Sequence, residues 1–160
     1  MYKRMIIIGT VFVLLDQFIK RIISSSFSFG ETRSVIGDFF HLTYTRNEGA
    51  AWGIFSGQII LLIIIALLAL VFIYLSFIKD KKLNNLEIII YSVLIGGILG
   101  NLIDRIMLGY VVDYLSFNIF GYNFPVFNLA DMGIVTSAFF ILFFTIKEEI
   151  ECRKSKSKKT

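Results

Sequence analysis

Apolar residues run along this chain in four uncharged stretches, 5–15, 49–78, 88–103 and 132–146, set apart by short segments that carry nearly all the charge. Within the second, residues 59–78 are 20 positions of almost pure Ile, Leu, Val, Phe and Ala. That length suffices for one bilayer crossing by a helix. The other three, at 11, 16 and 15 residues, are too short unless each helix continues through the aspartate at one end, Asp16, Asp104 or Asp131. The pattern predicts spans over about 4–23, 58–78, 87–105 and 129–147, outer loops over 24–57 and 106–128, and a basic tail over 148–160.

Both outer loops carry strand signals. Segments 35–45 and 110–127 are rich in β-branched and aromatic residues, with turn signals at Gly37, Gly121 and Pro125, and can pair into a small sheet. Its side chains Phe39, Phe40, Tyr44, Tyr114, Phe117, Phe120, Tyr122 and Phe124 would make an exposed apolar surface suited to lipid. Residues 49–55 read as a short interfacial helix anchored by Trp52. The expected fold is an all-α membrane protein with a small β element, in one unit covering residues 1–160.

Composition agrees: 56% of the chain is hydrophobic and 18% charged, against roughly 45–50% apolar in a soluble domain. Lys3, Arg4, Lys79, Lys81, Lys82, Lys147, Arg153, Lys154, Lys156, Lys158 and Lys159 make up 11 of the 16 basic residues, and all fall at one side of the four expected spans. By the preference of basic loops for the cytoplasm, both termini lie inside. The net charge of +4 then serves orientation and contact with lipid headgroups, and nucleic acid is not an expected partner. Lys3 and Arg4 before 11 apolar residues resemble the start of a signal peptide, but no A-x-A-like site follows, so the segment reads as a first helix that is retained.

With this orientation Asp16, Asp104 and Asp131 all fall near the outer boundary, since helix rises of about 18, 26 and 24 Å separate them from the inner side. Ionisable groups at that depth cost several kcal/mol unless paired or hydrated. Asp16 and Lys20, four apart, can pair on one face. Two stripes, Gly96/Gly100/Asp104 and Gly97/Asn101/Arg105, permit close helix packing, yet each ends in a charge that packing alone does not require. Asn128 and Asp131 have capping-box spacing. Asp113 is the single acid between Arg105 and Asp131 and has no such structural role.

One histidine and one cysteine are too few for most zinc sites or a Cys/His nucleophile pair, so no metal or cofactor is expected. His41 alternates among Phe40, Leu42 and Tyr44 as a strand residue, and Cys152 reads as a free thiol. A carboxylate pair, Asp113 and Asp131, remains. Two neighbouring aspartates sharing a proton can deprotonate a water and protonate a carbonyl oxygen. Asp131, at a helix start, is expected to be the anionic partner and Asp113 the proton holder. A small proton-linked carrier relaying protons through the same acids is the alternative.

Five blocks follow one another along the chain: Asp16-Gln17-x-x-Lys20, Asn47-Glu48-Gly49-Ala50-Ala51-Trp52, Gly96-Gly97-x-x-Gly100-Asn101-x-x-Asp104-Arg105, Val111-Val112-Asp113 and Phe127-Asn128-x-Ala130-Asp131. In this order they resemble the lipoprotein signal peptidases, or type II signal peptidases. The resemblance implies four helices, an outer β-cradle and an aspartyl endopeptidase. Such an enzyme cuts bacterial prolipoproteins on the amino-terminal side of the diacylglyceryl-modified cysteine. It also implies Asp113 and Asp131 as the catalytic pair, with Asp16, Lys20, Asn47, Gly49, Asn101, Asp104, Arg105, Asn128 and Ala130 supporting them or binding substrate. The implied setting is a monomer in the bacterial cytoplasmic membrane, in contact with membrane lipids, its site at the extracytoplasmic face. Trp52 stands where many members carry Phe, a departure that touches the interfacial helix more than the chemistry.

Overall fold

The computed structural model describes residues 1–50 and 53–157, with side chains described through Arg153 and Lys154. In chain order it comprises α1 (Tyr2–Ser26), β1 (Thr32–Ile36), β2 (Phe40–Asn47), α2 (Ile59–Ile73), α3 (Asn85–Leu108), β3 (Val111–Ile119), β4 (Tyr122–Asn123) and α4 (Leu129–Ser157). A π-helical turn, Tyr74–Ile78, extends α2. Three helical stretches are long and apolar enough to cross a membrane: Ile59–Ile78, Asn85–Leu108 and Leu129–Lys154. The 25 residues of α1 span about 37 Å at the usual rise, but charges at both its ends dilute its hydropathy.

Local sequence sets the helix ends. Asn84 caps α3, its side chain accepting from the Leu86 and Glu87 amides while Glu87 accepts from the Asn84 amide. Gly109 closes α3 at φ +80°, a conformation that costs a glycine little. The last helix overruns the boundary expected at 147. Neither Gly nor Pro follows Gly133, and the pairs Lys147–Glu151 and Glu149–Arg153 at i,i+4 spacing carry the helix through the charged segment to Ser157.

The four strands form one antiparallel sheet in the order β1-β2-β3-β4. Gly37 turns the first hairpin at φ +45°. A two-residue turn, Phe120-Gly121, with positive φ at both positions, closes the last, and Asn118 Oδ1 accepts the Gly121 amide. His41 lies in β2 opposite Ser34 and Ser116, a strand residue as expected.

The aromatic surface divides. Phe39, Phe120, Tyr122 and Phe124 are exposed, whereas Phe40 and Phe117 stack at 4.7 Å and are partly covered. Tyr44 and Tyr114, expected on the exposed surface, are buried. They pack with Ile23 and Val112, with Ile19 and Phe27 alongside, because the sheet lies against the end of α1. Within the segment read as an interfacial helix, Ala51 and Trp52 lie outside the described residues, as do Lys158 and Lys159 of the basic tail. Its described part turns through hydrogen bonds from the Ala50 amide to Ile54 O and from Gly53 to Ala50 O.

Candidate functional site

Helix α3 runs between α1 and α4, and its glycines let both approach. A Cβ at Gly96 would stand 3.1 Å from Gly9 O on α1; one at Gly100 would stand 2.6 Å from Asp16 Oδ2. At Gly97 it would lie 2.6 Å from Ala130 O on α4. The first stripe therefore faces α1 and the second α4, and the polar residue closing each turns into the junction.

On the α1 side, Lys20 Nζ lies 2.9 Å from Asp16 and 3.1 Å from Asp104, all three groups buried. It also donates to Asn101 Oδ1 at 2.9 Å. Gln17 Nε2 donates to Asp104 Oδ1 at 2.8 Å and to Gly100 O. Both carboxylates also reach beyond the triad. Asp104 Oδ2 accepts the Val112 amide at the start of β3, and Asp16 Oδ1 accepts the Ala130 amide at the start of α4. Burying this ammonium is tolerable because every one of its donors meets an oxygen.

On the α4 side, the Asn128 and Asp131 capping box is formed: the Asp131 amide donates to Asn128 Oδ1 at 2.9 Å and the Asn128 amide to Asp131 Oδ2 at 3.2 Å. The remaining oxygen of Asp131 accepts from Asn101 Nδ2 at 2.7 Å. Asn128 Nδ2 in turn reaches Asp113 Oδ1 at 2.6 Å and Asn101 Oδ1 at 3.1 Å. Asn47 Nδ2 donates to Asp113 Oδ2 at 2.9 Å, and its Oδ1 accepts the Gly49 amide. Arg105 Nη2 fastens the same loop by donating to Gly49 O, while its Nε is buried without a partner among the described residues. The two carboxylates thus share one network through Asn128 and Asn101, with no direct hydrogen bond between them among the described residues. Burial pushes the Asp113 carboxyl up to about 7, helped by the charge of Asp131 and opposed by the Asn47 and Asn128 donors.

A cavity of about 460 Å³ opens beside this network. Asn47, Asn101, Arg105 and Asp131 form its polar wall, and Phe124, Met132 and Val135 belong to its apolar one. Asp113, 2% exposed, lies behind Asn47 and Asn128. Every candidate site residue named from sequence reaches this junction, Ala130 through its amide and its complete burial. Two contributors were missed. Gln17 holds Asp104, and Tyr114 OH accepts the Leu129 amide at 3.1 Å. The polar Gln17 between Asp16 and apolar Phe18 was a signal for the first; nothing in the sequence signals the second. Cys152 is free and exposed, remote from the site.

Three helices long and apolar enough to cross a membrane, a small sheet and a buried acid and amide network beside a largely apolar cavity are the arrangement of a membrane protein with a candidate active site. The chain belongs to the signal peptidase (SPase) II family, which matches residues 8–147. This sets it among peptidases rather than proton-linked carriers. It is 40% identical over 143 residues to a lipoprotein signal peptidase of Staphylococcus haemolyticus (strain JCSC1435), covering 89% of this chain and 90% of that protein. With one from Staphylococcus aureus (strain JH9) it shares 41% identity over 89% of this chain and 88% of the relative. Two solved bacterial membrane enzymes, obtained by the in meso method at 2.3 Å and 1.9 Å resolution, have similar structures. The first gives a TM-score of 0.83 at 39% identity, over 91% of this chain and 88% of that one. The second gives 0.80 at 40% identity, over 89% and 92%.

Proposed function

We propose that this protein removes the signal peptide from bacterial prolipoproteins, cutting on the amino-terminal side of the diacylglyceryl-modified cysteine with Asp113 and Asp131 as the catalytic pair. The observation that supports it most is the shared amide network that joins Asp113, buried behind Asn47 and Asn128, to Asp131 on the wall of a cavity with a polar and an apolar side. In this reading anionic Asp131, on the cavity wall, takes a proton from a water that attacks the scissile carbonyl carbon. Asp113, held protonated by burial, gives its proton to the carbonyl oxygen. As the tetrahedral intermediate collapses, the proton on Asp131 passes to the leaving amine, the carbon–nitrogen bond breaks, and the gem-diol proton returns to Asp113. Asn47, Asn101 and Asn128 hold the two carboxyls; Gly49 and Arg105 fix the loop that carries Asn47. Asp16, Lys20, Asp104 and Ala130 lock α1 and α3 to the strand and helix that present the acids.

The full reading has four spans, α1 included, both termini in the cytoplasm, and a monomer in the cytoplasmic membrane with its site at the outer face. The acyl chains of the substrate rest against the apolar wall. The test is cleavage of a diacylglyceryl prolipoprotein peptide by purified protein. Asp113→Asn and Asp131→Asn should each abolish product while helical circular dichroism stays intact, and a native rate in either variant overturns the assignment.

A further inference from the structure

A second cavity, of about 300 Å³, lies at the opposite end of the helices, between the π turn of α2, the connection into α3 and α4. Glu87 on its wall is about 26 Å along α3 from Asp104. Here the apolar run of α2 ends at Ile78, α3 begins, and the apolar run of α4 gives way to charge at Lys147. The cavity therefore sits where membrane-crossing helices meet the headgroup layer, at a size within the usual range of small-molecule pockets.

Its charged groups form no ion pairs among the described residues. Lys81, Lys82 and Glu148 line the cavity. Tyr91, 8% exposed and stacked on Phe77 at 5.9 Å, lines it too, and its hydroxyl has no hydrogen-bond partner among the described residues. Glu87 gives one oxygen to the Asn84 amide and keeps the other. A tyrosine hydroxyl that opens to the cavity beside charges of both signs, none of them paired with another, leaves donors and acceptors available to a ligand.

The charges select among ligands. Two lysines suit any phosphate, but two glutamates lining the same cavity repel a purely anionic headgroup. A headgroup carrying a phosphate and a primary amine answers both, its phosphate taken by Lys81, Lys82 and the Tyr91 hydroxyl and its ammonium by Glu87 and Glu148. We infer that this cavity, between Lys81/Lys82 and Glu87/Glu148, is a binding site for the headgroup of an aminophospholipid. A trimethylated amine keeps the charge but has no N–H to donate, and so binds the glutamates less tightly.

The test is native mass spectrometry of the full-length protein released from phosphatidylcholine micelles doped with equal amounts of phosphatidylethanolamine and phosphatidylglycerol. One phosphatidylethanolamine should be retained in preference to either other lipid by about tenfold, the factor that about 1.4 kcal/mol represents. The double variant K81A/K82A should lose retention altogether, and Glu148→Gln should lose the preference over phosphatidylglycerol. Both should still cleave peptide as the parent does, since neither touches the carboxylate site. Soluble phosphoethanolamine should not displace the lipid. Equal retention of phosphatidylethanolamine and phosphatidylcholine by the unaltered protein overturns the inference whatever the variants do. So does retention unchanged in K81A/K82A, or full displacement by soluble phosphoethanolamine.

Discussion

Replacing Asp113 with asparagine separates the electrostatic cost of this carboxyl from its packing. Burial, with the charge of Asp131 adding to it, moves the group from the 3.8 of an exposed aspartate to about 7. The folded protein then binds this proton more tightly than the unfolded chain does. The stability it contributes is complete below about pH 3.8 and is lost as the pH climbs to about 7. Roughly three pH units at about 1.36 kcal/mol each come to about 4 kcal/mol. The variant has no such proton but carries a constant cost. Both carboxyl oxygens of Asp113 accept amide donors, from Asn128 and Asn47, and an asparagine offers only one oxygen. One donor is displaced, at about 1–3 kcal/mol. The two stability curves should therefore cross, with the variant weaker near pH 4 and stronger near pH 8. At about 2–4 °C per kcal/mol for a chain of this size, the melting temperature of the parent should fall by roughly 8–16 °C relative to the variant over that range. Paired thermal melts in one detergent read this directly. A constant offset between the curves would refute a buried carboxyl that is neutral below pH 7.

Lys20→Met leaves Asp16 and Asp104 buried without their cation and should cost about 3–5 kcal/mol in unfolding. Adding Asp104→Asn should return part of that loss, and no recovery would contradict the ion triad. Gly97→Ala places a Cβ 2.6 Å from Ala130 O and 2.9 Å from Ile134, so α4 must move off α3. Unfolding should report about 1–3 kcal/mol from the overpacking, and peptide cleavage should fall with it. Chelators should leave the cleavage rate unchanged, because among the described residues no three His, Cys, Asp or Glu side chains come together as a metal site; loss on EDTA that zinc restores would contradict a carboxylate mechanism.

Local rules made much of this fold legible. Gly37 and Gly121 stand where the hairpins turn because the backbone there takes positive φ, and the uncharged runs located the helices that fill the described structure. The overrun of α4 was hidden, since its charged residues read equally as a solvated tail or as i,i+4 pairs. Period-2 alternation shows that a strand has two faces but not which neighbour covers each. Tyr44 and Tyr114 therefore looked exposed until the end of α1 was seen against them. The glycine stripes on α3 announced close partners without naming them. Nor does sequence reveal that Asp113 and Asp131 meet through Asn128 and Asn101, because those bonds join positions from 15 to 30 residues apart.

Capping and chemistry compete as explanations of Asp131 when read from sequence, and in the structure one arrangement serves both. The first three amides of α4, at Leu129, Ala130 and Asp131, donate to Tyr114 OH, Asp16 Oδ1 and Asn128 Oδ1, so β3, α1 and α4 itself each hold one. Unpaired, those amides would cost stability at a buried helix start. Paired this way, they fix the height and rotation of the helix that presents Asp131. The N-cap that accepts the third amide also spends its own Nδ2 on Asp113. Asn128 therefore sets the helix start and the spacing of the proposed pair with one side chain, and loosening the cap must move the two acids relative to each other.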